Sequence, residues 1–268
     1  GRLDNAPFTS VPTAVLERIR RTPGNKVIKG YSPVVASLAF NQSRKPYDNV
    51  HVRRALAYLI DRAQVTKVAS PEGGTPALTT SGIHAKAARE WLGDELGELN
   101  PYPYDPAKAA AELRAAGMTR RNGWWAMPDG SPWKVRIHVP ASFSDWVAAA
   151  KSISSRLRDN GVDADVLTSA DYTLYLSELA AGKYDLGFWL IGLGPAPYNI
   201  FQRLFGQANG WQMFGGRLRH VPPGTEGNWM GGPETVDAGP YGRINPGELT
   251  ARLNYVPKEE QRRIVRIL

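Results

Sequence analysis

The chain of 268 residues contains no cysteine, which excludes disulfide bridges, thiol nucleophiles and thiolate metal sites. No apolar run approaches the roughly 20 residues that span a bilayer. The first ten residues lack the basic-then-apolar pattern of a signal peptide. Several signatures of chemistry are also missing. There is no nucleophile elbow, no phosphate-binding loop, no dinucleotide fingerprint after a strand and no paired-histidine zinc motif. The four histidines, His51, His84, His138 and His220, are isolated and read as surface or structural residues. No carboxylate pair is marked by spacing as an acid/base couple. The expectation is therefore no catalytic residue, no metal ligand and no cofactor.

Charge is present in surplus but is not concentrated. Lys plus Arg total 33 against 25 Asp plus Glu, a net charge of +8. The basic residues come in pairs such as Arg53-Arg54 and Arg262-Arg263, never in a long run. That pattern reads as a solvated surface and not as a nucleic-acid partner. Eight tryptophans are a large complement, and 27 glycines with 21 prolines make much of the chain loop. A tryptophan surplus serves a generous core or a stacking surface for a flat ligand.

Periodicity gives an α/β order. Ala14 to Arg21 reads as a helix, Val27-Ile28 as a strand, and the nearly all-apolar Val34 to Phe40 as a buried strand. Asp48 is placed to cap a helix whose apolar face is Val52, Ala55, Leu56, Leu59 and Ile60. Asp105-Pro106 opens another helix and Gly117 closes it. Trp124 to Met127, the turn residues Pro128-Asp129-Gly130-Ser131 and the alternating strand from Trp133 read as a hairpin. From Trp133 to Leu193 the order strand–helix–strand–helix–strand predicts βαβ crossovers. After Gly194 the chain reads as loop, with short helices again from Asn245-Pro246 and Pro257.

In such a layer, ligands gather beyond the carboxyl ends of the strands. Trp146, Trp189 and Tyr198 are all expected at that rim, with core packing the alternative for each. Asn41, at the end of its strand, offers a donor and acceptors for a ligand or for local backbone.

Specific motifs strengthen this picture. Leu38-Ala39-Phe40-Asn41, Lys45-Pro46-Tyr47-Asp48-Asn49-Val50 and the stretch Val52 to Arg62 resemble the signature of the family 5 extracellular solute-binding proteins. Gly1-Arg2-Leu3-Asp4, Tyr104-Asp105-Pro106-Ala107-Lys108-Ala109 and Gly182-Lys183-Tyr184-Asp185-Leu186 are similar to further motifs of that family, in the same order. Met127-Pro128-Asp129-Gly130, Ser144-Asp145-Trp146, Gly194-Pro195-Ala196-Pro197-Tyr198 and Gly227-Asn228-Trp229 resemble its oligosaccharide-binding branch.

The resemblance implies an α/β lobe of a two-lobed, periplasmic-binding-protein-like fold (class II, cluster C), with a mixed sheet and flanking helices. It implies a partial chain: 1–37 as the tail of the first lobe and hinge approach, and 38–268 as a second lobe incomplete at its end. The implied function is extracytoplasmic capture, periplasmic or lipid-anchored, of an oligosaccharide for an ABC permease, with an oligopeptide as the alternative ligand. The ligand-binding set it implies is Asn41, Asp145, Trp146, Trp189, Tyr198, Asn228 and Trp229.

Overall fold

Capping side chains set most of the helix starts. Asp105 Oδ1 accepts from the backbone N–H groups of Ala107 and Lys108, both at 3.0 Å, Asp171 Oδ1 from Leu174 at 2.8 Å, and Asn245 Oδ1 from Glu248 at 3.1 Å. Each satisfies first-turn donors that have no partner within the helix. The helix expected to be capped by Asp48 begins one residue later, with Asn49 Oδ1 accepting from His51 N at 2.9 Å.

The computed structural model describes residues 13–28, 34–71, 73–97, 99, 102–205 and 235–268. Along the chain these form α1 (Thr13–Arg21), β1 (Val34–Phe40), α2 (Val50–Leu59), α3 (Arg62–Ala69), α4 (Ala85–Leu92), α5 (Pro106–Ala115), β2 (Thr119–Arg121) and β3 (Trp124–Ala126). There follow β4 (Lys134–Pro140), α6 (Ser144–Asp159), β5 (Asp163–Ser169), α7 (Tyr172–Ala180), β6 (Leu186–Leu193) and α8 (Pro197–Phe205). The last elements are β7 (Val236–Asp237), β8 (Arg243–Ile244), α9 (Pro246–Arg252) and α10 (Lys258–Ile267). Among the described residues no helix is long and apolar enough to cross a membrane.

The principal sheet is mixed, as expected. Its strand order is β1-β6-β4-β5, with β4 parallel to β5 and β6, and β1 antiparallel to β6. Alternation along β4 separates two faces. Val135, Ile137 and Val139, all fully buried, share a face with Ala164 of β5, whose carbonyl accepts from the Ser154 hydroxyl of α6 at 2.7 Å. His138 turns the other way, toward Tyr175 and Glu178 of α7. The two crossover helices therefore cover opposite faces, as right-handed connections from β4 to β5 and back across to β6 require. One apolar cluster fills the space between the sheet and helices α2, α5, α6 and α7; a second joins Ile83, Leu92, Ile200, Phe201, Leu253 and Ile264 from the segment before α4, from α4, α8 and α10, and from the residue that ends α9.

Four local expectations are corrected. β1 is half-buried because, among the described residues, it is an edge strand that pairs with β6 alone, and it carries small residues. Val27 and Ile28 lie outside any strand. The two-stranded ladder is β2–β3, turned by Asn122 (φ 50°) and Gly123 (φ 86°); the chain does turn back at Pro128–Ser131, but across it only Ala126 and Pro132 pair, and β4 pairs with β5 and β6 instead. An Asn-Gly pair suits the left-handed backbone of a two-residue hairpin loop better than the Pro-Asp-Gly-Ser segment does. Finally, α8 (Pro197–Phe205) occupies the start of the stretch after Gly194 that reads as loop.

At the base of the sheet, Asp185 is buried with only 3% of its surface exposed. Its Oδ2 accepts from Arg136 N at 3.1 Å and Nε at 3.0 Å; its Oδ1 accepts from Arg136 Nη2 at 3.3 Å and pairs with Arg44 Nη1 at 3.1 Å. These bonds hold the Arg136 guanidinium further above its ordinary pKa. Asn41 closes the same junction. Its N–H donates to the Asp185 carbonyl at 2.9 Å, and its Nδ2 donates to the carbonyls of Gly182 (3.2 Å) and Tyr184 (3.0 Å). Asp185→Asn keeps the shape but removes the charge that two arginines and a backbone N–H require. Breaking a buried ion pair on one side is expected to cost about 3 kcal/mol, read as a lower midpoint in urea unfolding; a loss below about 1 kcal/mol would contradict this role.

Candidate binding rim at the split between β4 and β6

β4 and β6 pair only at Ile137↔Leu186 and His138↔Gly187, although both strands continue. The sequence supplies a reason. Arg136 N–H faces β6, since it donates to Asp185, and residues two apart along a strand face the same way. Pro140 therefore lacks its N–H on the side where β6 would need it. Above His138 the sheet splits. The split lies where the connections from neighbouring strands leave to opposite faces, at the carboxyl ends of β4 and β6, the place where open α/β sheets bind ligands.

Aromatic rings line this split. Trp146 from one face and Tyr175 from the other approach to 6.4 Å between centroids. Trp146 also packs on Phe188 at 5.5 Å and edge-on to Phe143 at 5.0 Å. Phe143 and Tyr172, both half-buried, stack at 5.1 Å with an interplanar angle of 12° across the mouth. Burial raises the pKa of the Tyr172 hydroxyl, and the nearby positive charge of Arg203 opposes that rise. Arg203 lies on α8 with its guanidinium carbon 6.0 Å from the Trp189 ring centroid.

The residues expected from sequence are distributed as follows. Trp146 and Trp189 are each 6% exposed and belong to the core, so neither presents an open ring face. Tyr198 sits in the first turn of α8, beside the second apolar cluster. Asp145 is half-buried in the first turn of α6, at the rim. Asn41 lies at the opposite end of β6. Its amide is hydrogen-bonded to backbone on both sides, with Oδ1 accepting from Ser43 N at 3.3 Å, so backbone capping is the alternative the structure displays. Asn228 and Trp229 lie outside the described residues. Phe143, Tyr172 and Arg203 at the rim, and Tyr175 buried beneath them, are the residues that sequence reasoning missed. Phe143 and Tyr172 border predicted helix starts and could have been found by asking which residues follow each parallel strand.

One cluster invites a catalytic reading. His138 Nε2 lies 2.8 Å from Ser169 Oγ and 3.0 Å from Glu178 Oε2, and Ser169 Oγ donates to Glu178 at 2.5 Å. A hydrolytic triad needs the nucleophile on one imidazole nitrogen and the carboxylate on the other. Here both converge on Nε2, and the serine proton is directed to the carboxylate. With His138 5% and Ser169 3% exposed, the group serves as a buried hydrogen-bond network tying α7 to the sheet. Among the described residues no cluster of three potential metal ligands occurs.

The model of the bacterial extracellular solute-binding proteins, family 5 Middle, matches residues 2–212. The chain belongs to this family. Heme-binding protein A of Haemophilus influenzae is 30% identical over 130 residues, 48% of this chain and 22% of that protein. The dipeptide-binding protein of Pseudomonas aeruginosa is 25% identical over 174 residues, 63% of this chain and 29% of that protein. The chain thus spans less than a third of the length of these curated relatives. Among solved structures, an oligopeptide ABC transporter binding protein of Thermotoga maritima with mannohexaose bound superposes with a TM-score of 0.64 at 21% identity, covering 88% of this chain and 41% of that one. NikA of Brucella suis with Fe(III)-EDTA gives 0.66 at 16% identity, covering 95% and 46%. These likenesses establish the family 5 fold.

Because Trp146 is an internal support of the split, Trp146→Ala leaves a large cavity. It is expected to lower stability by about 3–5 kcal/mol, measured by chemical unfolding. A variant as stable as the parent would contradict the packing described.

Proposed function

We propose that this chain forms the ligand-facing part of an extracytoplasmic receptor that captures a small organic solute and presents it to an ABC permease, without chemistry on the ligand. The observation that carries the reading is the split sheet: a topological switch point whose mouth is walled by the half-buried Phe143–Tyr172 pair. The division into a first-lobe tail over 1–37 and a second lobe over 38–268 belongs to this proposal, as does closure of two lobes around the ligand. The miswired His138–Ser169–Glu178 network fits a receptor better than a hydrolase.

For the ligand, an oligopeptide is the reading the geometry favours. Burial of Trp146 and Trp189 removes two of the three aromatic faces on which sugar stacking rests. The curated relatives that match include a dipeptide-binding protein and, at 38% identity over 80 residues, the glutathione-binding protein GsiB of Salmonella typhimurium. An oligosaccharide is the second reading, favoured by the flat Phe143–Tyr172 stack, which can take the C–H face of a sugar ring.

Calorimetric titration of the natural protein that carries this chain separates them, using di- to pentapeptides beside cello- and xylo-oligosaccharides. Saturable heat with peptides is expected. Heat with sugars alone would reverse the order of the two readings, and silence to both panels would count against capture at this rim.

A further inference from the structure

β6 turns the carbonyls of Phe188 and Leu190 toward the split, because alternate residues face the same side and Trp189 O is taken from the β1 side by Ser37 Oγ at 3.1 Å. With β4 diverging, neither carbonyl has a strand partner on that side. The Tyr175 hydroxyl donates to Phe188 O at 2.6 Å, and Arg203 Nη1 donates to Leu190 O at 3.1 Å.

The second solution brings more than the carbonyl needs. A neutral hydroxyl suffices at Phe188, whereas Arg203 delivers a full positive charge and five N–H donors, of which Leu190 uses one. Other arginines near this sheet are matched: Arg44 and Arg136 with Asp185, and Arg158 with Asp165. Arg203 is half-buried, and no described carboxylate lies within ion-pair distance of it. A partly desolvated cation without a counterion is unfavourable unless something supplies the charge. The Trp189 ring lies beneath the guanidinium, whose charge is felt at the Tyr172 hydroxyl of the Phe143–Tyr172 wall.

From this placement we infer that Arg203 anchors a carboxylate of the captured ligand, held by the donors that Leu190 leaves unused while the Phe143–Tyr172 stack takes the adjoining apolar part. The inference rests on the solute-capture reading above and narrows its ligand to one bearing a carboxylate. A planar guanidinium matches a carboxylate with two parallel hydrogen bonds. One positive charge also balances a monoanion, whereas a phosphate dianion would leave net negative charge against an aromatic wall.

The test uses matched ligand pairs and the natural protein that carries this chain. One arm compares di- and tripeptides having a free carboxyl terminus with the same peptides amidated. The other compares oligogalacturonates with neutral manno-oligosaccharides, so that a peptide carboxylate and a sugar acid are distinguished. Calorimetry is expected to show the acid binding about 10- to 100-fold more tightly than its neutral partner in one arm, the range of a hydrogen bond to a charged group. Arg203→Gln, whose amide can still serve the Leu190 carbonyl, is expected to erase that gap, and Arg203→Lys to narrow it. Neutral ligands binding as tightly as acids, or a gap that survives Arg203→Gln, would overturn the inference while leaving solute capture in place. Binding in neither arm would remove both. The gap in the unaltered protein decides the charge preference without any substitution, and Arg203→Lys ties it to the residue should Arg203→Gln fail to fold.

Discussion

The carboxylate of Asp185 stands where three parts of the chain must meet: the end of β1, the start of β6 and the first half of β4. It accepts from the Arg136 backbone and side chain together, and it pairs with Arg44 in the turn after β1. Because the Arg136 N–H is already taken by this side chain, β4 and β6 join only from Ile137 and Leu186 onward. A buried carboxylate is costly unless fully matched, and the match here uses residues more than 130 positions apart in sequence. Asn41 adds three hydrogen bonds to the same junction. The register of the central strands, and hence the height at which they part, follows from this corner.

Pro140 then prevents the strands from rejoining on the β6 side. The sheet is closed at its base and open at its carboxyl end, and the opening is propped by rings rather than by backbone pairing. Trp146, Tyr175 and Phe188 fill the depth; Phe143 and Tyr172 form the lip. Tryptophans in the core and half-buried rings at the mouth divide the work: the first hold the shape, and the second are available to a ligand. Arg203 closes one wall and brings a positive charge to it.

The sequence made the architecture legible wherever a single local rule dominated. The βαβ order from Trp133 to Leu193 and the Asp105-Pro106 helix start are each written in adjacent residues, and the structure follows them. The family motifs were legible too, but their meaning was not. Phe40-Asn41 and Gly182-Lys183-Tyr184-Asp185 read as separate signatures, whereas the structure joins them into one clasp. That junction depends on β1 lying antiparallel beside β6, which no local pattern reveals. The same limit explains the rim. Trp146 at a helix start is compatible with stacking or with core, and only the divergence of two strands draws it inward. Arg203 was overlooked because α8 begins within Gly194-Pro195-Ala196-Pro197, where the composition reads as loop.

The central claim is that ligand engages the open end of the sheet and not the clasped end. Hydrogen–deuterium exchange of the natural protein, with and without a bound ligand, tests it most directly. The account predicts added protection of backbone amides over 141–144, 171–174 and 194–203, with 41–44 and 182–185 unchanged. Protection confined to the Asn41–Asp185 corner, with the rim unaffected, would contradict it.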